Sequence, residues 1–263
     1  TGLSAKMGSG AAVIEKHIMR VVLNGYETRN PFGKMARTLH VSMFLSVIER
    51  AIMEEVQSGI MRVFARIPVS FHSFSFAAFD TLRNSDGTPD RFLIIDVSGE
   101  VTDISVVLDR ELLETATFPV GKRTLLREIA RALGTTVDEA LSLARLSDSG
   151  RLSGSHKDRI GAALMNAGNI WTSALERTLA ETAARSGIPS TLFLSADDDV
   201  LLYFGTLAKQ PMFAQFTMTD EPFLVSPLSP AALHDRCDFG EQVPRDSFLM
   251  LEAAFAQRIT SVS

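Results

Sequence analysis

The stretch Asp96-Val-Ser-Gly-Glu-Val-Thr-Asp103 places three carboxylates, a glycine-bearing turn and two hydroxyls between two apolar runs, Phe92-Leu93-Ile94-Ile95 and Ile104 to Leu108. A turn containing Ser98-Gly99 can present backbone N–H groups to an anion, with Thr102 adding a hydroxyl donor. A carboxylate at a strand end, as Asp96 would be, can hold a metal-bound water beside a transferred phosphate. The same residues also suit a plain β-hairpin with a glycine turn and two solvated carboxylates. Spacing alone leaves both readings open.

Other residues with chemical potential read more plainly. Arg123, Arg127 and Arg131 recur at i, i+4 and i+8, and with Glu128 beside them they read as a solvated helix face. Asp197 to Asp199 could bind Mg²⁺, but they also suit an N-cap and first-turn acids at a helix start. His17, His40, His72, His156 and His234 show no H-x-x-x-H or H-x-H spacing, so they form no zinc motif. No G-x-S-x-G, Walker A or G-x-G-x-x-G pattern occurs, and Gly33-Lys34 and Gly121-Lys122 lack the flanking residues of a phosphate loop. The single cysteine, Cys237, cannot form an internal disulfide, which fits a reducing cytoplasm.

The bulk properties limit the function classes. The chain has 263 residues, with 26 Lys+Arg against 31 Asp+Glu and a net charge of −5. That acidic balance argues against a protein built to grip nucleic acid. Hydrophobic residues make up 46% and charged residues 22%, as in a folded globular protein. No apolar run approaches the roughly 18 residues needed to cross a bilayer.

The elements that must position these residues follow from periodicity. Residues 1–12 are small and flexible in composition and read as a leader. Val13 to Asn30 is strand-like around the turn pair Asn24-Gly25, and Leu39 to Met43 reads as a strand or as the entry to a helix. Leu45, Ile48, Ile52 and Val56 recur at helical spacing, with Gly59 as a stop. The Phe-rich stretch Ile67 to Leu82 is ambiguous between helix and strand, and Asn84 to Asp90 is a loop. Phe92 to Ile95, Ile104 to Leu108 and Leu112 to Phe118 are three strands joined by tight turns. Leu125, Leu126, Ile129, Ala130 and Leu133 form a helix stripe ending at Gly134, and Thr136 with Glu139 forms a capping box. After a Ser/Gly break at 147–155 come a helix over about 157–186, a buried strand at Thr191 to Ser195, and a helix from Asp197 through Lys209. A proline-punctuated tail and a helix from Asp246 to Ile259 close the chain. The terminal helix stacks Phe248, Leu251, Phe255 and Ile259 on one face, and with few cations it reads as core-packing rather than membrane-bound. Three leading strands before helices and another strand point to an α/β chain with a mixed sheet flanked by helices, in a ribonuclease-H-like arrangement.

The stretch FLIIDVSGEVTDISVVLDRELLETATFPVGKRTLLREIARALGTTVDEALSLAR resembles the second phosphate-binding hairpin and following helices of the FtsA/PilM family of actin-like ATPases. Upstream, LNGYETRNPFGKMARTLHVS is similar to that family's link between its insert subdomain and second lobe. The resemblance implies residues 13–45 as an insert β segment, 46–210 as an actin-like second lobe with the phosphate hairpin at 92–108, and 211–263 as segments packing on it. It implies ATP and Mg²⁺ as ligands. Asp96 would be the catalytic and metal-holding residue, and Ser98, Gly99, Glu100, Thr102 and Asp103 would face the phosphates. Gly121, Lys122, Arg123 and Glu139 would lie near the nucleoside. The chain departs from the family at Ser98 and Lys122, where glycine is usual. It departs again at Ser195-Ala196-Asp197-Asp198-Asp199, where a Gly-Gly loop is usual. Nothing in residues 1–40 resembles the family's first phosphate loop, so the expectation is that a lobe carrying it precedes Thr1.

The resulting expectation is a cytoplasmic actin-like scaffold beside the inner membrane, working through protein partners and self-association in cell division or type IV pilus assembly. With its nucleotide loops altered, it is at most a weak ATPase. The rivals are a pure interaction module that has lost nucleotide binding and a sugar-kinase-type phosphotransferase, for which no sugar-activating base is apparent.

Overall fold

Phe92-Leu93-Ile94-Ile95 is buried along its whole length, as an apolar run of four must be if both faces of its strand are covered. In the computed structural model, which describes residues 10–64, 67–148, 155–233 and 246–261, this run is the middle strand of a five-stranded sheet. The chain divides after Ala77 into two compact units.

In residues 1–77, β1 (Ala11–Leu23), β2 (Tyr26–Glu27) and β3 (Leu39–Glu49) form an antiparallel sheet in the order β2-β1-β3. The Asn24-Gly25 turn is as expected: both residues have positive φ, 51° and 85°, which matches the twist of the strands it joins. Asn24 also accepts hydrogen bonds from the N–H groups of Arg37 and Thr38 at 2.7 and 3.2 Å. The leader at 1–12 proves shorter where it is described, since Ala11 and Ala12 already belong to β1; residues 1–9 lie outside the described residues.

The helix expected from Leu45 begins later. Leu45 and Ile48 belong to β3, paired with Lys16 and Ala12, and α1 runs from Arg50 to Val63. A long β1 offers backbone partners as far as Ala11, and that ladder overrides a helical spacing carried by two residues at its edge. The Phe-rich ambiguity resolves as an irregular segment followed by α2 (Phe74–Arg83), whose C-terminal half begins the second unit.

In residues 78–263 the sheet order is β6-β5-β4-β7-β8. β4 (Phe92–Val97), β5 (Thr102–Leu108) and β6 (Glu111–Phe118) form an antiparallel meander, and β7 (Thr191–Ala196) and β8 (Leu224–Pro227) add in parallel. The helices are α3 (Lys122–Leu133), α4 (Val137–Asp148), α5 (Ser155–Ala183), α6 (Asp198–Ala208) and α7 (Ser247–Ser261), with a 3-10 turn at Pro211–Phe216. This is the mixed sheet flanked by helices that the element order predicts. The expected break at 147–155 falls mostly on residues outside the described set, as does Cys237.

The period of two along β4 sends Leu93, Ile95 and Val97 into one core cluster with Ile104, Val106, Leu192, Leu194 and the fully buried Trp171 of α5. Gly134 ends α3 in the left-handed region at φ 70°, where glycine avoids the steric cost of a Cβ. α7 buries Met250, Leu251, Ala254 and Phe255 and pairs Arg258 with Asp80 at 3.0 Å, so its apolar face is spent on the core.

Candidate functional site

The alternation that buries Leu93 and Ile95 on one face of the sheet puts Asp96 on the other. Its register partners share that face: Asp103 on β5 and Ser195 on β7, with Thr117 of β6 beyond Asp103. A polar row therefore crosses four strands at the end of β4. Thr117 Oγ1 donates to Asp103 Oδ1. Asp96 Oδ1 and Ser195 Oγ are buried without a well-formed hydrogen-bond partner among the described residues. Burial pushes the Asp96 carboxyl up to about 7; the Ser195 hydroxyl is the main opposing influence, and the charges of Asp103 and Asp197 add smaller upward pushes.

The turn after β4 is stitched to the start of α3. Ser98 N–H and Oγ both donate to Val101 O at 3.0 Å. The N–H groups of Lys122 and Arg123 donate to the carbonyls of Ser98 and Gly99 at 2.9 and 2.8 Å. A Cβ on Gly121 would lie 2.5 Å from Ser98 O and 2.7 Å from Gly99 O, so glycine is required here by close approach of two backbones. The stitching also consumes two of the N–H groups with which a helix start could hold an anion. Glu100 folds over the outside, where Arg127 Nη1 donates to its two carboxylate oxygens at 3.1 and 2.9 Å and Arg123 lies 3.8 Å away.

Thr102, expected to offer its hydroxyl to phosphate, points the opposite way. It is fully buried, donates to Val120 O at 2.7 Å and accepts from Trp171 Nε1 at 3.0 Å. As the neighbour of Asp103 on a strand it must face away from Asp103 and Asp96. Glu139 is also occupied elsewhere: its N–H donates to Thr136 Oγ1 at 3.3 Å, one half of the expected capping box at the start of α4, while its carboxylate accepts from Thr135 Oγ1.

Lys122 is the cation of the site. Its Nζ reaches Asp197 Oδ2 at 2.7 Å and both oxygens of Asp199 at 2.7 and 2.9 Å. Burial alone would lower the Lys122 ammonium, but the two aspartates outweigh it and carry it above its ordinary value. Asp197 does occupy the N-cap position of α6, yet its side chain makes no capping bond; Lys122 holds it instead.

Beside this ion pair lies an apolar cavity of about 320 Å³. Leu125, Leu126 and Ile129 of α3, Leu141 of α4, Ile160 and Leu164 of α5 and Tyr203 of α6 line it, with Lys122 and Asp199 at its polar side. Tyr203 donates to Leu164 O at 2.6 Å, and burial pushes its phenol up to about 12. A second cleft of about 320 Å³ shares Lys122, Asp198 and Asp199 and adds Asp197 and Asp246, so its rim is strongly acidic.

Sequence spacing missed one cluster altogether. Glu15, His17 and His72 bring three ligand-type atoms within 4.8 Å of one another. Only Glu15 and His17, two apart on a strand, left a local signal.

No family model matches the sequence, and no curated protein does. Solved structures do match. The PilM–PilN type IV pilus biogenesis complex aligns with 96% of this chain and 67% of its own chain, at 14% identity and a TM-score of 0.65. Fainter likenesses include MreB 5 of Spiroplasma citri bound to AMPPNP, with 14% identity, 80% of this chain, 66% of that one and a TM-score of 0.48. An archaeal actin homolog aligns at 15% identity over 71% of this chain and 55% of its own, with a TM-score of 0.42. The chain thus spans about two thirds of the PilM chain that it matches. No helix among the described residues is long and apolar enough to cross a membrane. The alternating polar row, the meander followed by two parallel strands, and the likeness to PilM over nearly the whole chain agree: this chain carries the actin-like fold.

Proposed function

We propose that this chain is a PilM-type actin-like scaffold that organises a type IV pilus or related cell-envelope assembly through protein contacts beside the inner membrane and does not turn over ATP. The observation that carries this reading is the capture of Lys122 by Asp197 and Asp199. It spends the site's cation and leaves the adjoining cleft lined with carboxylates, which repel a phosphate chain. ATP with Mg²⁺ is the ligand that the fold suggests, and the residues fit it only in part. Asp96, with its bare Oδ1, suits a cation, and the apolar cavity suits a planar base. The phosphate side does not fit. Thr102 is committed to Val120 and Trp171, the first N–H groups of α3 to Ser98 and Gly99, and the cleft rim is acidic. No catalytic step is derived through the nucleotide.

Thermal unfolding of the full-length protein with Mg-ATP tests this reading. A ligand present at a hundredfold excess over its Kd stabilises by about 2.7 kcal/mol, which a melting curve resolves easily. The expected result is no shift at millimolar Mg-ATP. An upward shift that disappears in Asp96→Ala would overturn the non-nucleotide reading and restore a nucleotide-switched scaffold, the reading favoured by the uncompensated Asp96. For the assembly role, deletion in the native host is expected to remove surface pili while division continues; filamentous cells with normal pili would overturn it.

A further inference from the structure

We propose that Glu15, His17 and His72 form a binding site for a divalent transition metal of the zinc class. Glu15 and His17 lie two apart on β1, so the pleat sends both side chains to one face of the sheet. His72 reaches the same point from the irregular segment before α2. Glu15 Oε2 lies 3.2 Å from His17 Nε2 and 3.2 Å from His72 Nδ1, and the three ligand atoms all fall within 4.8 Å of one another.

Two of the three separations are what a metal needs. Zinc bonds of about 2.0–2.1 Å to nitrogen and oxygen in tetrahedral array put neighbouring ligand atoms about 3.3 Å apart. Two carboxylate–imidazole edges already have that length, so an ion could enter with each neutral ring carrying its proton on the nitrogen turned away from Oε2. The remaining geometry holds the ligands in place. Glu15 Oε1 is taken by Ser73, whose N–H and Oγ donate to it at 2.8 and 2.5 Å, which leaves Oε2 for the cluster and fixes the carboxylate plane. The His17 ring stacks on Phe76 at 3.6 Å and 9°, so its direction is set by packing. Such outer partners are the usual means of orienting metal ligands.

The burial is graded as a three-ligand site requires. The Glu15 side chain is 3% exposed, whereas those of His17 and His72 are 32% and 28% exposed. One side of the cluster is open to water, which would supply a fourth ligand. Two imidazoles with one carboxylate suit zinc, cobalt or nickel far better than Mg²⁺ or Ca²⁺, which take mainly oxygen ligands. A bound ion would tie the segment before α2 to β1.

The test is metal binding by the full-length, chelator-treated protein. Titration with Zn²⁺ is expected to saturate at one ion per chain in the micromolar range or tighter, with a rise in melting temperature. Co²⁺ at the same site is expected to show the intense visible bands of a tetrahedral nitrogen–oxygen environment. His72→Gln removes one ligand from the irregular segment and should weaken binding at least tenfold while the metal-free melting temperature stays nearly unchanged. His17→Gln should do the same to binding, although loss of its stack on Phe76 can lower stability, so His72→Gln is the deciding variant. Zn²⁺ binding that fails to saturate below 100 µM, or a Kd unchanged in His72→Gln, would overturn the site and leave a hydrogen-bonded cluster in its place.

Discussion

Asp96→Asn should abolish the pH dependence that one buried carboxyl imposes on the protein. In the folded chain this carboxyl titrates near 7 instead of its ordinary 3.8, mainly because of burial, with Asp103 and Asp197 adding repulsion. A carboxyl raised on folding binds its proton more tightly in the native state. Its contribution to stability is therefore fully present below the unfolded value and is lost as pH rises through the folded one. The whole span, from 3.8 to about 7 at 1.36 kcal/mol per pH unit, is about 4 kcal/mol. Between pH 5 and 8 the loss is about 2.5 kcal/mol. Asparagine keeps the shape and cannot ionise, so the variant escapes this loss. Urea unfolding of both proteins from pH 4.5 to 8.5 isolates the effect, because other groups such as Glu15, whose carboxyl is lowered, and Glu252, whose carboxyl is raised, cancel in the difference. The stability gap is expected to move by about 2.5 kcal/mol in favour of asparagine between pH 5 and 8. A gap constant to within about 0.5 kcal/mol would refute the account of Asp96 as a buried, uncompensated charge.

Two further substitutions test the joints that hold the site. Gly121→Ala drives a methyl against the carbonyls of Ser98 and Gly99 and should cost about 2–4 kcal/mol in urea unfolding; an unchanged midpoint would mean that the hairpin turn is not pressed on α3. Thr102→Val strands Trp171 Nε1 and Val120 O in the core, at a cost of about 1–3 kcal/mol or roughly 3–9 °C in melting temperature. If Thr102 instead faced a ligand in solution, the valine variant would keep its melting temperature.

The sequence reads best where structure is local. The Phe92–Phe118 meander, the Asn24-Gly25 turn, the α3 stripe ending at Gly134 and the capping of α4 by Thr136 and Glu139 all lie where periodicity and turn chemistry put them. The start of α1 did not, because whether Leu45 and Ile48 are helix or strand depends on β1, which pairs with them from more than twenty residues away. The site was legible in part. The positions of Asp96, Ser98, Gly99 and Gly121 on one hairpin and the adjoining helix start follow from strand and turn signals. The direction of Thr102 does not, since a hydroxyl beside a turn can serve either face of the strand.

What the chain determined by itself was therefore the identity and order of its elements, along with the polar residues set at the end of β4. Those depend on neighbours three or four residues apart, whose spacing is written in the sequence. Only the tertiary structure decided which partners the polar groups take: Trp171 for Thr102, Asp197 and Asp199 for Lys122, no fitting partner among the described residues for Asp96 Oδ1, and Glu15 as the meeting point of His17 and His72. Most of these pairs are separated by dozens of residues, and hydrogen bonds and ion pairs act over a few ångströms in space. No local pattern can select among such partners until the sheet and helices have brought them together.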